Sequence, residues 1–136
     1  MPLDRAPQLA GKARVHIVAL GDVGTTMLIG LLLAGQDVIG SVGMCDINEK
    51  NLARLEMEMN QIRYPFAGLD GCDDPVLPAV TIVPETDVFD CDVFIFCASK
   101  GVPPVGAGGD VRMAQLEATR SLVAHYAALA RPAGFG

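Results

Sequence analysis

Two glycines and one aspartate are the residues of this sequence best placed to do chemistry. Gly21 and Gly24 stand in Val18-Ala19-Leu20-Gly21-Asp22-Val23-Gly24, between a run expected to be a strand and a run expected to be a helix. At such a junction a glycine loop lets backbone approach a pyrophosphate, and the helix N-terminus offers free N–H groups and a positive dipole end. The G-x-G-x-x-G spacing is met at its second and third positions, with Ala19 in the first. A Cβ is tolerable there if the backbone keeps φ negative, and the match to the pattern is degraded. Asp46 follows the second expected strand, 22 residues after Gly24. That position puts a carboxylate where a ribose 2′-hydroxyl would lie. It accepts hydroxyl hydrogen bonds and repels a 2′-phosphate, and no arginine follows within the next few residues, so NAD is favoured over NADP. Two plainer readings stand beside this one: a glycine-rich turn that holds no ligand, and Asp46 as a helix-capping acid beside Asn48.

The elements around these residues alternate. Arg14–Leu20 is a short apolar, β-branched run and reads as a buried parallel strand. Val23–Ala34 is apolar nearly all round and stops at Gly35, as a helix packed between a sheet and something else would. Val38–Cys45 reads as a second strand, weakened by Gly40 and Gly43. Asn48 is placed to cap a helix to about Arg63, with Leu52, Leu55, Met59 and Ile62 on its apolar face and Tyr64-Pro65 ending it. Residues 65–78, rich in Gly, Pro and Asp, read as loop. Their Asp70, Asp73 and Asp74 lack the spacing of a calcium loop and read as an acidic turn. Ala79–Val83 and Asp92–Ala98 are the third and fourth strands. Asp110 caps a last helix to about Ala130, where Arg131-Pro132 breaks it.

The order β-α-β-α-β-β-α gives an α/β chain with a parallel sheet. The expected architecture is a Rossmann-type doubly wound sheet, its first half complete and its second half begun and cut short. Residues 1–13 read as a flexible tail and residues 14–136 as one nucleotide-binding domain without a catalytic domain. The chain has 136 residues, 51% of them hydrophobic, enough for one core. The longest apolar run, Met27 to Ala34, is interrupted by Gly30, and no membrane partner is expected. A net charge of −6 argues against nucleic acid. Cys45, Cys72, Cys91 and Cys97 form no C-x-x-C pair, and with two histidines they make no zinc site. They read as reduced thiols of a cytoplasmic protein.

With these residues in place, the chain resembles the lactate/malate dehydrogenase family from Arg14 to Ala130. The resemblance is carried by the glycine loop, by Cys45-Asp46-Ile47, by Asp92-Val93-Phe94-Ile95-Phe96-Cys97-Ala98-Ser99 and by Val111-Arg112-Met113-Ala114-Gln115-Leu116. It implies a cofactor site of Gly21, Asp22, Val23, Gly24, Asp46, Ile47, Cys97, Ala98 and Ser99, with the last three on the nicotinamide side. It implies that Arg112 swings over the substrate and polarises its carbonyl during hydride transfer. The plainer reading of Arg112 is a solvated arginine in a helix's first turn. Members usually read Ala-Gly where this chain has Ala98-Ser99, and Thr119 stands where an asparagine is usual. The loop from Lys100 to Val111 is longer than the family's, and near Pro104 there is no second arginine, which leans toward a 2-hydroxy acid with one carboxylate, such as lactate.

The same resemblance implies that the proton-relay histidine and the carboxylate-gripping arginine belong to a second half. His16, in the first strand, and His125, in the last helix, read as structural or exposed. The chain is therefore expected to bind nucleotide without turnover, and its parent to be a homo-oligomer, assembled through the Asn48–Arg63 helix with Met57 and Met59 facing sheet or partner. Three rivals remain: the first domain of an NAD-dependent glycosidase, a methyltransferase-like fold binding S-adenosylmethionine, and a non-catalytic nucleotide-sensing module.

Overall fold

A computed structural model describes residues 11–63, 76–99, 104–106 and 108–136. Four parallel strands form one sheet in the order β3-β2-β1-β4, with β1 Ala13–Val18, β2 Ile39–Cys45, β3 Ala79–Ile82 and β4 Val93–Phe96. Three helices flank it: α1 Asp22–Ala34, α2 Glu49–Met59 and α3 Val111–Ala130. A single 3-10 turn, Glu85–Asp87, links β3 to β4. The chain is thus an α/β protein with an all-parallel four-stranded sheet flanked by helices.

The alternation of side chains along each strand divides the core in two. Val15 and Ile17 of β1, Val42 and Met44 of β2 and Val80 of β3 face one way. Leu28 and Leu32 of α1 and Leu52 and Leu55 of α2 close over them. In α1 the packed line is Gly24, Leu28 and Leu32, spaced four apart, as one helical face requires. Val18, Cys45, Phe94 and Phe96 face the other way, against Val88, Phe89, Tyr126, Leu129 and Phe135.

His16 lies on this second face, buried, its Nδ1 2.8 Å from the Val88 carbonyl oxygen, to which it donates. It pairs across the ladder with Gly43, where an added Cβ would overlap the imidazole and Val83. The glycine expected to weaken β2 is therefore the space in which the histidine ring sits.

Most element boundaries fall within two residues of expectation; α2 does not. It stops at Met59 rather than near Arg63: Asn60 is its C-cap, with a backbone still helical and its N–H on the Glu56 carbonyl, and only the Asn60 side chain reaches out to β3. Its Nδ2 donates to the Glu56 and Val80 carbonyls, and its Oδ1 accepts from Val80 N at 2.9 Å. The expected stop at Tyr64-Pro65, the acidic turn of Asp70, Asp73 and Asp74, and Cys72 lie outside the described residues. Among the described residues no helix is long and apolar enough to cross a membrane, and no cluster of acids, histidines and thiols could hold a metal.

Candidate functional site

The chain steps outward from β1 through β2 to β3 and then crosses back to set β4 on the other side of β1, so the direction of winding reverses between β1 and β4. In open parallel sheets, ligands bind outside the carboxyl ends of the strands at such a switch. A cleft of about 380 Å³ opens there, lined by Ala19, Gly21, Asp46, Ile47, Cys97, Ala98, Ser99, Leu122 and Tyr126. Three strand ends and α3 thus meet around one space.

Ala19 has a φ of +72°, the one positive φ among described residues other than glycine. The condition under which a Cβ sits easily here, a negative φ, is not met: the chain turns left-handed at this position to leave β1 and enter α1. Glycine does this without strain, and an alanine Cβ is crowded by its own carbonyl. The turn drives the Ala19 carbonyl against the first turn of α1, where a Cβ on residue 24 would overlap it. Gly24 is thus a contact glycine. Gly21 differs, since a Cβ built on it meets no atom within 4 Å. No side chain caps α1, so the first N–H groups of the helix open beside Gly21.

Asp46 is half-buried and already engaged. Its Oδ2 accepts from Leu20 N at 2.6 Å and its Oδ1 from Asn48 N at 2.9 Å. Each oxygen keeps a further lone pair for a hydroxyl donor. Of the two readings of Asp46, the bond to Asn48 N at the start of α2 answers to the helix-cap acid. Asn48 itself caps α2, its side chain accepting from Asn51 N at 3.1 Å. Ile47 is fully exposed at the cleft mouth, an apolar platform in open water.

Two of the expected cofactor residues lie elsewhere. Asp22 and Val23, with Thr26, Met27 and Gly30, border an apolar groove on the outer face of α1. Arg112 is exposed on the first turn of α3, its backbone N–H held by Asp110 Oδ1 at 2.9 Å. It is not among the residues lining the cleft. Leu122, the first α3 residue that does line it, is ten residues or about 15 Å further along the helix. Sequence reasoning missed Leu122 and Tyr126, although their spacing of four on an otherwise mixed helix was a legible sign of one packed face.

The chemistry of the cleft is acidic and proton-retaining. Burial, then the nearby charges of Cys45 and Glu85, a hydrogen bond to Glu85 and the charge of Asp46 push the Tyr126 phenol up to about 12. Its hydroxyl donates to Glu85 Oε1 at 3.2 Å, and His125 Nε2 lies 3.0 Å from the same oxygen. Burial raises the Cys97 thiol, and burial with Glu85 and Asp46 raises Cys45. These thiols stay protonated near neutral pH and are poor nucleophiles there. No protein-family model matches the chain, and no curated protein matches its sequence closely enough to stand as a relative.

Proposed function

We propose that the cleft binds NAD and that the chain is the Rossmann-type nucleotide-binding part of a 2-hydroxy acid dehydrogenase, with lactate favoured over malate. The observation that carries the reading is the meeting of open Gly21, the uncapped start of α1 and Asp46 at the β1 switch point. The donor set suits the cofactor. Free N–H groups at α1 would hold the pyrophosphate, Asp46 the ribose hydroxyls, and Ile47 would cover an adenine face. Ala98 and Ser99 would border the nicotinamide ring. Bound NAD would supply the hydride chemistry, and the chain's own residues bind, orient and exclude water. Arg112 could act on a substrate carbonyl only after α3 or its preceding loop moves toward the cleft. His16 is buried against the Val88 carbonyl, and neither it nor His125 is among the residues that line the cleft, so no proton relay stands at the site and the chain alone is expected to give no turnover.

One observation favours a second reading. Asp46 lines the cleft and Glu85 stands behind its Tyr126, and this negative charge suits a cationic ligand such as S-adenosylmethionine better than a dianion. Calorimetric titration with NADH, NADPH and S-adenosylmethionine separates the two. The first reading expects micromolar to millimolar NADH binding, none for NADPH, and Asp46→Ala weakening NADH while relaxing the rejection of NADPH. Binding of S-adenosylmethionine alone would replace it, and silence for all three would end both.

A further inference from the structure

Leu20 is the most heavily tethered backbone unit of the cleft. Its N–H is held by Asp46 from the end of β2. Its carbonyl accepts from Asn51 Nδ2 of α2 at 3.1 Å and from Thr25 Oγ1 of α1 at 3.1 Å. Three elements therefore converge on one buried residue, through the peptide groups on either side of its Cα, and the residue immediately before it is the left-handed Ala19. Backbone strain of this kind persists only where the surroundings over-determine it.

We infer that Asn51 and Thr25 are positioning residues whose side chains, by gripping the Leu20 carbonyl, hold Ala19 in its left-handed turn and so keep the glycine loop in the shape that receives the dinucleotide. Where a glycine would adopt this turn without strain, the alanine needs the grip. The inference rests on the nucleotide-binding reading for its ligand, but its mechanical half stands apart from it. Releasing the grip lets Ala19 relax toward negative φ. Relaxation swings the Ala19 carbonyl off Gly24 and tilts the N–H groups beside Gly21 away from the phosphate position. Ligand binding must then rebuild the turn.

Relaxation has opposite consequences for affinity and for stability. For affinity, Asn51→Ala costs more with alanine at position 19 than with glycine, because glycine keeps the turn unaided. For stability, Asn51→Ala costs less with alanine than with glycine, because the released strain offsets part of the lost hydrogen bond. A residue with a purely structural role shows no such reversal.

The test is a double-mutant cycle of Ala19→Gly and Asn51→Ala in the full chain, repeated with Thr25→Val in place of Asn51→Ala in case one variant fails to fold. Calorimetry with NADH is expected to show about a tenfold loss for Asn51→Ala, which is about 1.4 kcal/mol and lies within the cost of one left-handed L-residue. In the Ala19→Gly background the loss shrinks to about twofold or less. Equal losses in both backgrounds, or none in either, overturn the inference. If the unaltered chain binds no NADH, the dinucleotide reading fails and urea unfolding of the same four proteins decides the mechanical claim. A smaller stability loss for Asn51→Ala with alanine at position 19 supports the strained grip, and equal losses overturn it.

Discussion

α1 and α2 bury Leu28, Leu32, Leu52 and Leu55 against Val15, Ile17, Val42 and Met44, whereas α3, the longest described helix at 20 residues, contributes no buried residue. It meets the opposite face of the sheet through Tyr126, Leu129 and Ala130 near its end. Its earlier turns leave Met113 52% and Leu116 51% exposed. The glycine loop hangs on the first side, fixed by packed leucines and by three tethers to Leu20. Arg112 hangs on the second, at the far end of a helix anchored by its other end. Groups that must hold a cofactor in one geometry need the first kind of support, and a group that must move over a substrate needs the second.

The largest expected effects test the packing difference itself. Leu55→Ala removes a fully buried side chain and is expected to cost about 2–5 kcal/mol in urea unfolding. Leu116→Ala on α3 should change stability by about 0.5 kcal/mol or less. Comparable losses would mean that α3 is packed as firmly as α2 and would remove the contrast.

Next comes the corner where the two regions meet the cleft. Gly24→Ala forces a Cβ into the Ala19 carbonyl, a backbone atom that cannot rotate aside. A cost of about 1–3 kcal/mol is expected, together with loss of NADH binding. Retention of both stability and binding would show that the α1–β1 junction yields more readily than its tethers imply.

The fold was largely legible because periodicity reports burial. β1 and β2 are runs of apolar residues, and Leu52, Leu55 and Met59 mark the packed side of α2 at helical spacing. The end of α2 was not legible, because the Asn60 side chain at its C-cap is committed to Val80, a partner that follows it by 20 residues and has no local signature. The positive φ at Ala19 was not legible for the opposite reason. Alanine's own preference points to negative φ, and the tertiary demand for a turn at the end of β1 overrides it. Gly21, Asp46, Ile47, Cys97, Ala98 and Ser99 line one cleft, since each sits just beyond a strand end. Asp22 and Val23 do not, because one further step into α1 rotates a side chain about 100° away from the loop.

A medium effect concerns the anchor of α3. Tyr126→Phe removes the bond to Glu85 and is expected to cost about 1 kcal/mol near neutral pH. The native phenol titrates near 12 against an ordinary 10.0. Between these values the unfolded chain has lost the proton and the native chain still holds it, so native stability falls as pH rises. Unfolding midpoints measured from pH 9 to about 12 should fall more steeply for the unaltered chain than for Tyr126→Phe. Parallel curves would place the phenol in ordinary solvent and loosen the anchor.

The smallest effect belongs to Arg112. It is exposed, stands where the helix dipole disfavours a cation, and offers Asp110 only its backbone N–H. Arg112→Ala is therefore expected to raise stability by about 0.3 kcal/mol at low salt, fading as salt is added. NADH affinity should stay within about twofold, since a change this small is about 0.4 kcal/mol or less. On the proposed reading, in which Arg112 acts only on closure over a substrate, it leaves no mark on cofactor binding in the open form. A tenfold loss of NADH affinity would instead put the guanidinium on the cofactor in the resting chain. The first turn of α3 would then lie over the cleft, and the division between a fixed cofactor side and a movable substrate side would collapse.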